Sequence, residues 1–121
     1  MANGAAEMRI KACTVCRDVR NFDLLIEDME AEFPGAWGEL TFLETVAFLD
    51  DPDASDLQVL AIALDDEDAS QVNLIRVIIE KAAAKSIRIL LIAESLSPIL
   101  LHQLLRAGAE DHHHHWRLLR G

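Results

Sequence analysis

Asp65 and Asp66 follow directly on six unbroken apolar residues, Val59 to Leu64, and Glu67 and Asp68 add acid beyond them. Grouped carboxylates of this kind can hold a hard cation, accept a phosphoryl group or pair with a guanidinium. The apolar run before them is too short for a helix and apolar on both faces, which predicts a strand buried on both sides of a parallel sheet. In open sheets of that type the carboxyl ends of the strands form the ligand crevice, so the run would deliver Asp65 and Asp66 to it. Cys13 and Cys16 have the C-x-x-C spacing of redox and metal motifs. A redox pair needs both thiols at a helix start with one pKa depressed, whereas Cys13 lies inside a predicted strand, where positions three apart point to opposite faces. They are expected to be small core residues. His112 to His115 could bind Zn2+ or Ni2+, yet consecutive residues do not preorganise a tetrahedral site and no cysteine adjoins them. Residues 112–121 read instead as a tag-like or altered tail, and no metal site is expected. His102 stands alone, with no Ser or Cys beside it in a nucleophilic motif.

The elements that must position these groups alternate along the chain. Residues 9–15 carry Ile10, Thr14 and Val15 and predict a first strand. Asn21 is the expected N-cap of a helix whose inward face is Phe22, Leu25, Ile26, Met29 and Phe33, with Asp23, Glu27, Asp28, Glu30 and Glu32 on a solvated acidic face. Pro34 and Gly35 end it. Alternation across residues 39–44 predicts an edge strand, followed by a short helix over 45–49 and an acidic loop over 50–56. After the central strand, Ser70 is the expected cap of a helix that turns Val72, Ile75, Ile78, Ile79, Ala82 and Ala83 inward, with Lys81 and Lys85 in its last turns. Residues 87–93 form a second doubly buried strand closed by Glu94. Ser97 and Pro98 then start a helix carrying Leu100, Leu101, Leu104 and Leu105, which Gly108 stops. This order predicts an α/β domain over residues 1–111, a doubly wound parallel sheet with strand order 2-1-3-4-5 whose last strand and helix are truncated or altered.

Composition limits the function classes. The chain has 121 residues, of which 51% are hydrophobic, and a mean hydropathy of +0.15. One domain of this size buries about two-thirds of its unfolded surface, and no apolar run reaches the roughly 18 residues that span a bilayer. Residues 1–7 lack the apolar stretch of a signal peptide, so a cytoplasmic location with reduced thiols is expected. Acidic residues number 21 against 11 basic ones, a net charge of −10. That charge repels phosphate backbones and anionic membranes, and aromatic residues are too scarce to stack single strands, so neither nucleic-acid binding nor membrane insertion is expected.

Strand, Asp65, helix, strand and then LLRAGAED at 104–111 resemble the receiver domains of bacterial response regulators. RIKACTV at 9–15, FDLLIEDME at 22–30 and SPILLHQLLRAGA at 97–109 resemble more closely the N-terminal atypical receiver of the CpaE/TadZ proteins of Flp (Tad) pilus assembly. The resemblance implies a CheY-like (flavodoxin-like) fold and a domain that precedes a ParA/MinD-like ATPase and helps place the protein at the cell pole. No G-x-x-x-x-G-K-[ST] loop occurs in this sequence.

The same resemblance assigns Asp65 to the phosphoacceptor position. It places Cys16 and Arg17 where an acidic pair should hold Mg2+, with Asp18 alone nearby, and puts Ala93, flanked by Glu94, where a hydroxyl is needed. No lysine follows in a fifth strand, where only His115 falls close. The expectation is a crevice of Asp18, Asp66 and Glu94 around an inactive Asp65, with Arg17 as partner of Asp65 or Asp66, and no cofactor. The domain would then be a non-enzymatic protein-interaction and localisation module of pilus assembly. The alternative is a phosphorylatable stand-alone receiver using Mg2+ and Asp65. A third class is a redox protein built on the cysteines. Other proteins are the expected partners, together with self-association through Leu100, Leu101, Leu104 and Leu105.

Overall fold

The computed structural model describes residues 10–93, 97–108 and 110–111. Strands and helices alternate as β1 (Ala12–Val15), α1 (Asp23–Glu32), β2 (Trp37–Leu40), α2 (Phe42–Leu49), β3 (Val59–Leu64), α3 (Val72–Ala84), β4 (Arg88–Ala93), α4 (Pro98–Ala107) and β5 (Glu110–Asp111). Single 3-10 segments lie at Val19–Asn21, Pro52–Asp56 and Asp66–Gln71. Every strand pair is parallel and the sheet order is β2-β1-β3-β4-β5, the doubly wound arrangement expected from the sequence and consistent with the CheY-like fold that the resemblance implies. A short fifth strand does form: Glu110 and Asp111 align with Leu90 and Leu91. The histidines at 112–115 lie outside the described residues.

β3 is buried along its whole length, and its period of two divides it between two cores. Leu60, Ile62 and Leu64 join Val15, Phe42 and Leu49, the α3 residues Ile75, Ile78, Ile79 and Ala82, and Leu104. Val59, Ala61 and Ala63 join Phe22, Leu25 and Met29 beneath α1. The sheet therefore separates α1 on one face from α2, α3 and α4 on the other. Ser97 Oγ accepts from the Leu100 N–H at 3.2 Å and Pro98 occupies the first turn, as the sequence predicts for α4. Gly108 ends that helix at φ +128, where a Cβ would stand 3.2 Å from the Ala83 Cβ.

Several expectations are corrected. Asn21 does not cap α1: it belongs to a 3-10 turn whose cap is Asp18, and Phe22 precedes α1 with its ring buried. Asp28 is not on a solvated face but fully buried. The edge strand ends at Leu40, because Thr41 and Glu44 close a reciprocal capping box that starts α2 at Phe42. Leu40, from the strand, packs against the core that contains Phe42, from the helix. Ser70 is not a helix cap, since Asp65 and Asp68 begin a helical turn at Asp66 and carry Ser70 inside it. Ala83 is exposed, whereas the rest of the predicted α3 face is buried or half-buried. Leu104 is 1% exposed and belongs to the core, and Leu101 and Leu105 pack against it, so these leucines hold α4 to the domain. The exposed apolar residue of α4 is Ile99.

Candidate functional site

β1 and β3 lie side by side in register, with Val15 opposite Ile62, so the loops that follow them leave the sheet next to each other. The first carries Arg17 and Asp18, the second Asp65 to Asp68. The second loop turns at once into a 3-10 segment because Asp65 and Asp68 cap each other: Asp68 Oδ2 accepts from the Asp65 N–H at 2.9 Å, and Asp65 Oδ1 accepts from the Glu67 N–H at 2.9 Å. That turn folds Asp68 back beside Asp65, and the two carboxylates meet one guanidinium. Arg17 Nη2 donates to both oxygens of Asp65 at 2.8 Å, while its Nε donates to Asp68 Oδ1 at 2.7 Å. Glu67 Oε1 stands 3.4 Å from Nη1. The guanidinium fork thus ties the β1 loop to the β3 loop across the crevice, with Asp68 only 2% exposed beneath it. Its bonds to Asp68 first, and then to Asp65, raise the Arg17 pKa still further, so the cation is permanent.

Asp18 is turned the other way. Its Oδ1 accepts from the Arg20 backbone N–H at 3.0 Å and from Arg20 Nε at 2.9 Å, and its Oδ2 from Nη2 at 2.8 Å. The Arg20 guanidinium accordingly holds the Asp18 carboxyl below its usual range. The expected crevice is thereby resolved into two arginine-closed groups. Asp65 sits at the carboxyl end of β3 as predicted and pairs with Arg17, one of the two outcomes the sequence leaves open. The Asp66 side chain and all of Glu94 lie outside the described residues. Arg20 is a site residue that sequence reasoning missed, and Glu67 and Asp68, noted only as further acid, were not assigned to the crevice. Their signals were an acid three residues after Asp65, the spacing of a capping box, and a cation two residues after Asp18.

These donors do not fit Mg2+. A hard dication needs free carboxylate oxygens. Both Asp65 oxygens already accept from Arg17, and Asp18 is enclosed by Arg20. Among the described residues no group of three His, Cys, Asp or Glu side chains is arranged to hold a metal.

Cys13 and Cys16 are buried in different cores, on opposite faces of the sheet, and neither is in a disulfide. Burial pushes the Cys13 thiol up to about 11. Burial, then the fields of Glu39, Asp18 and Asp68, push Cys16 to about 12. Both shifts oppose the thiolate that redox chemistry requires. Since the native state favours the protonated thiols, their contribution to stability is complete below the unfolded pKa near 9 and is lost as pH rises toward 11 to 12. Urea unfolding at pH 8 and pH 10 should show the midpoint falling at pH 10, and replacing both cysteines by alanine should flatten that fall. A midpoint that rises with pH in this window would contradict the burial of the thiols.

No protein-family model matches the sequence, and no curated protein matches it. Among solved structures, the chain is similar to the crystal structure of a "Putative pilus assembly-related protein" from Burkholderia pseudomallei, with a TM-score of 0.57 and 18% identity over 85% of this chain and 75% of that one. At that identity the likeness is one of fold. Among the described residues, no helix is long and apolar enough to cross a membrane.

Proposed function

We propose that this chain is a receiver-like protein-interaction and localisation module of Flp (Tad) pilus assembly, of the CpaE/TadZ kind, in which Asp65 is not phosphorylated. The observation that carries the proposal is the Arg17–Asp65 ion pair, because Nη2 of a permanently charged guanidinium donates to both oxygens of the acceptor carboxylate. Two further facts support it. By the receiver resemblance, Cys16 and Arg17 fall where two acids would hold Mg2+, and Ala93 falls where a hydroxyl would hydrogen-bond a phosphoryl group carried on the acceptor aspartate. The doubly wound fold and the pilus-related description of the similar crystal structure agree with that assignment. Such a module acts in the cytoplasm at the cell pole, by presenting surfaces to other pilus-assembly proteins and to the ATPase domain with which it works.

Incubation with Mg2+ and acetyl phosphate, followed by intact mass spectrometry, is the direct test. The mass is expected to stay that of the unmodified chain under conditions that fully label an active receiver run alongside. A phosphate adduct that vanishes in Asp65→Asn would establish the phosphorylatable receiver instead.

A further inference from the structure

A cavity of about 350 Å3 opens between the carboxyl ends of β1 and β2 and shares Arg17 with the arginine-closed crevice; its lining includes Thr14, Arg17, Asp18, Arg20, Glu39 and Glu44. Its polar groups are unevenly satisfied. Arg20 is closed on Asp18, and Glu44 Oε1 accepts from the Thr41 N–H. The Glu39 side chain is exposed at the mouth and makes no hydrogen bond or ion pair among the described residues, and its field is felt at Cys16 and at Arg20. Beneath it Thr14 is fully buried, and its Oγ1 has no hydrogen-bond partner. Thr14 and Glu39 are register partners in the β1–β2 pair, so their side chains leave the same face of the sheet side by side. A buried hydroxyl without a partner is costly, and a lone carboxylate next to it makes the pair complementary to a cation that is also a hydrogen-bond donor.

β2 is also the edge of the sheet, with β1 on one side and no strand on the other among the described residues. Such an edge offers backbone N–H and C=O groups to an incoming extended segment. A segment laid along Trp37–Leu40 brings its side chains directly to the cavity at the carboxyl end of the strand.

The geometry points to a docking site for an extended, basic segment of a partner protein, whose main chain pairs with β2 and whose arginine or lysine side chain enters the cavity to donate to Glu39 and Thr14. The net charge of −10 favours the same class of partner at long range. This inference rests on the reading of the domain as an interaction module. It is separable from the phosphorylation test, because its readout is peptide binding without Mg2+ or a phosphodonor.

The probes are a blocked pentapeptide, Val-Thr-Arg-Thr-Val, the same peptide with the neutral isostere citrulline in place of arginine, and blocked arginine alone, each titrated against the intact chain by two-dimensional amide NMR. The arginine pentapeptide should shift the amides of Gly38 to Thr41 and of Cys16 to Arg20. It should bind roughly tenfold or more tightly than the citrulline peptide, the ratio a charge-assisted hydrogen bond supplies. Glu39→Gln should remove that preference, and Thr14→Val should weaken binding; Thr14→Ala serves where the valine variant does not fold. Glu27→Gln, an equal charge change on the exposed face of α1, should leave binding unaltered. Equal binding of the arginine and citrulline peptides, shifts spread over the acidic surface, or a preference that survives Glu39→Gln would overturn the cavity as the site. A pentapeptide that binds no more tightly than blocked arginine would overturn pairing along β2.

Discussion

Ile62→Ala should lower the free energy of unfolding by about 2 to 5 kcal/mol. Ile62 has no exposed surface, and its register partners Val15 and Leu91 belong to the same core, so one row across the middle of the sheet presents three aliphatic side chains to α2 and α3. Truncation removes the central member of that row. Its strand neighbours are fixed by hydrogen bonds on both sides of β3, which limits how far the backbone can close the gap, and the lost contacts add to the lost burial. Ile62→Val removes one methyl and should cost about 0.5 to 1.5 kcal/mol. Urea unfolding measures both, with an unchanged m-value as the sign that only the native state has been affected. Leu43→Ala is the control: Leu43 is 73% exposed, and its loss should fall within about 0.5 kcal/mol. An Ile62→Ala cost no greater than that of Leu43→Ala would mean that β3 is not the centre of the core.

Asp68→Ala should destabilise the domain by about 1 to 3 kcal/mol, the range for losing hydrogen bonds to a buried charged acceptor. One Asp68 oxygen caps the 3-10 segment at the Asp65 N–H, and the other accepts from Arg17 Nε. Its partner Arg17 is 38% exposed, which keeps the loss below that of a fully buried ion pair. Asp68→Asn retains an acceptor and the shape of the turn, so it should recover about half of the loss. A double-mutant cycle with Arg17→Met separates the two roles, because the capping bond survives in the Arg17 variant and the ion pair does not. Additive effects of the two substitutions would show that Arg17 and Asp68 are not coupled in solution, and the tie between the two loops would then be wrong.

β3 and α4 were legible because each carries a signal that packing does not override. Six apolar residues bounded by acid have few alternatives, and Ser97, Pro98 and Gly108 mark the ends of α4 with side-chain and backbone chemistry of their own. Boundaries that depend on reciprocal caps were harder. Thr41 and Glu44 look like the polar half of an alternating strand until the backbone turns and lets each accept from the other's N–H. Asp65 and Asp68 moved the start of the helical segment ahead of Ser70 by the same device. At the site, the bond between Arg17 and Asp65 was foreseeable from the chemistry of a cation placed where an acidic pair is needed. The share of Asp68 was not, because it depends on a turn that folds its side chain back beneath the guanidinium. The burial of Asp28 was hidden as well: it sits among acids that do face solvent, and helical periodicity does not separate it from them.

Placing Cys13 and Cys16 in opposite cores gives the domain two internal markers of partial opening, one for each layer of helices. Proteins open in cooperative pieces with separate free energies, and a three-layer domain has natural seams along both faces of its sheet. Cys16 shares its core with Leu25 and Met29 of α1, and Cys13 shares its own with Phe42 and Leu49 of α2, so opening of one layer is expected to expose one thiol ahead of the other. Whether a binding partner at one edge braces only the layer it touches, or the whole domain, is therefore written in the relative protection of two sulfur atoms three residues apart.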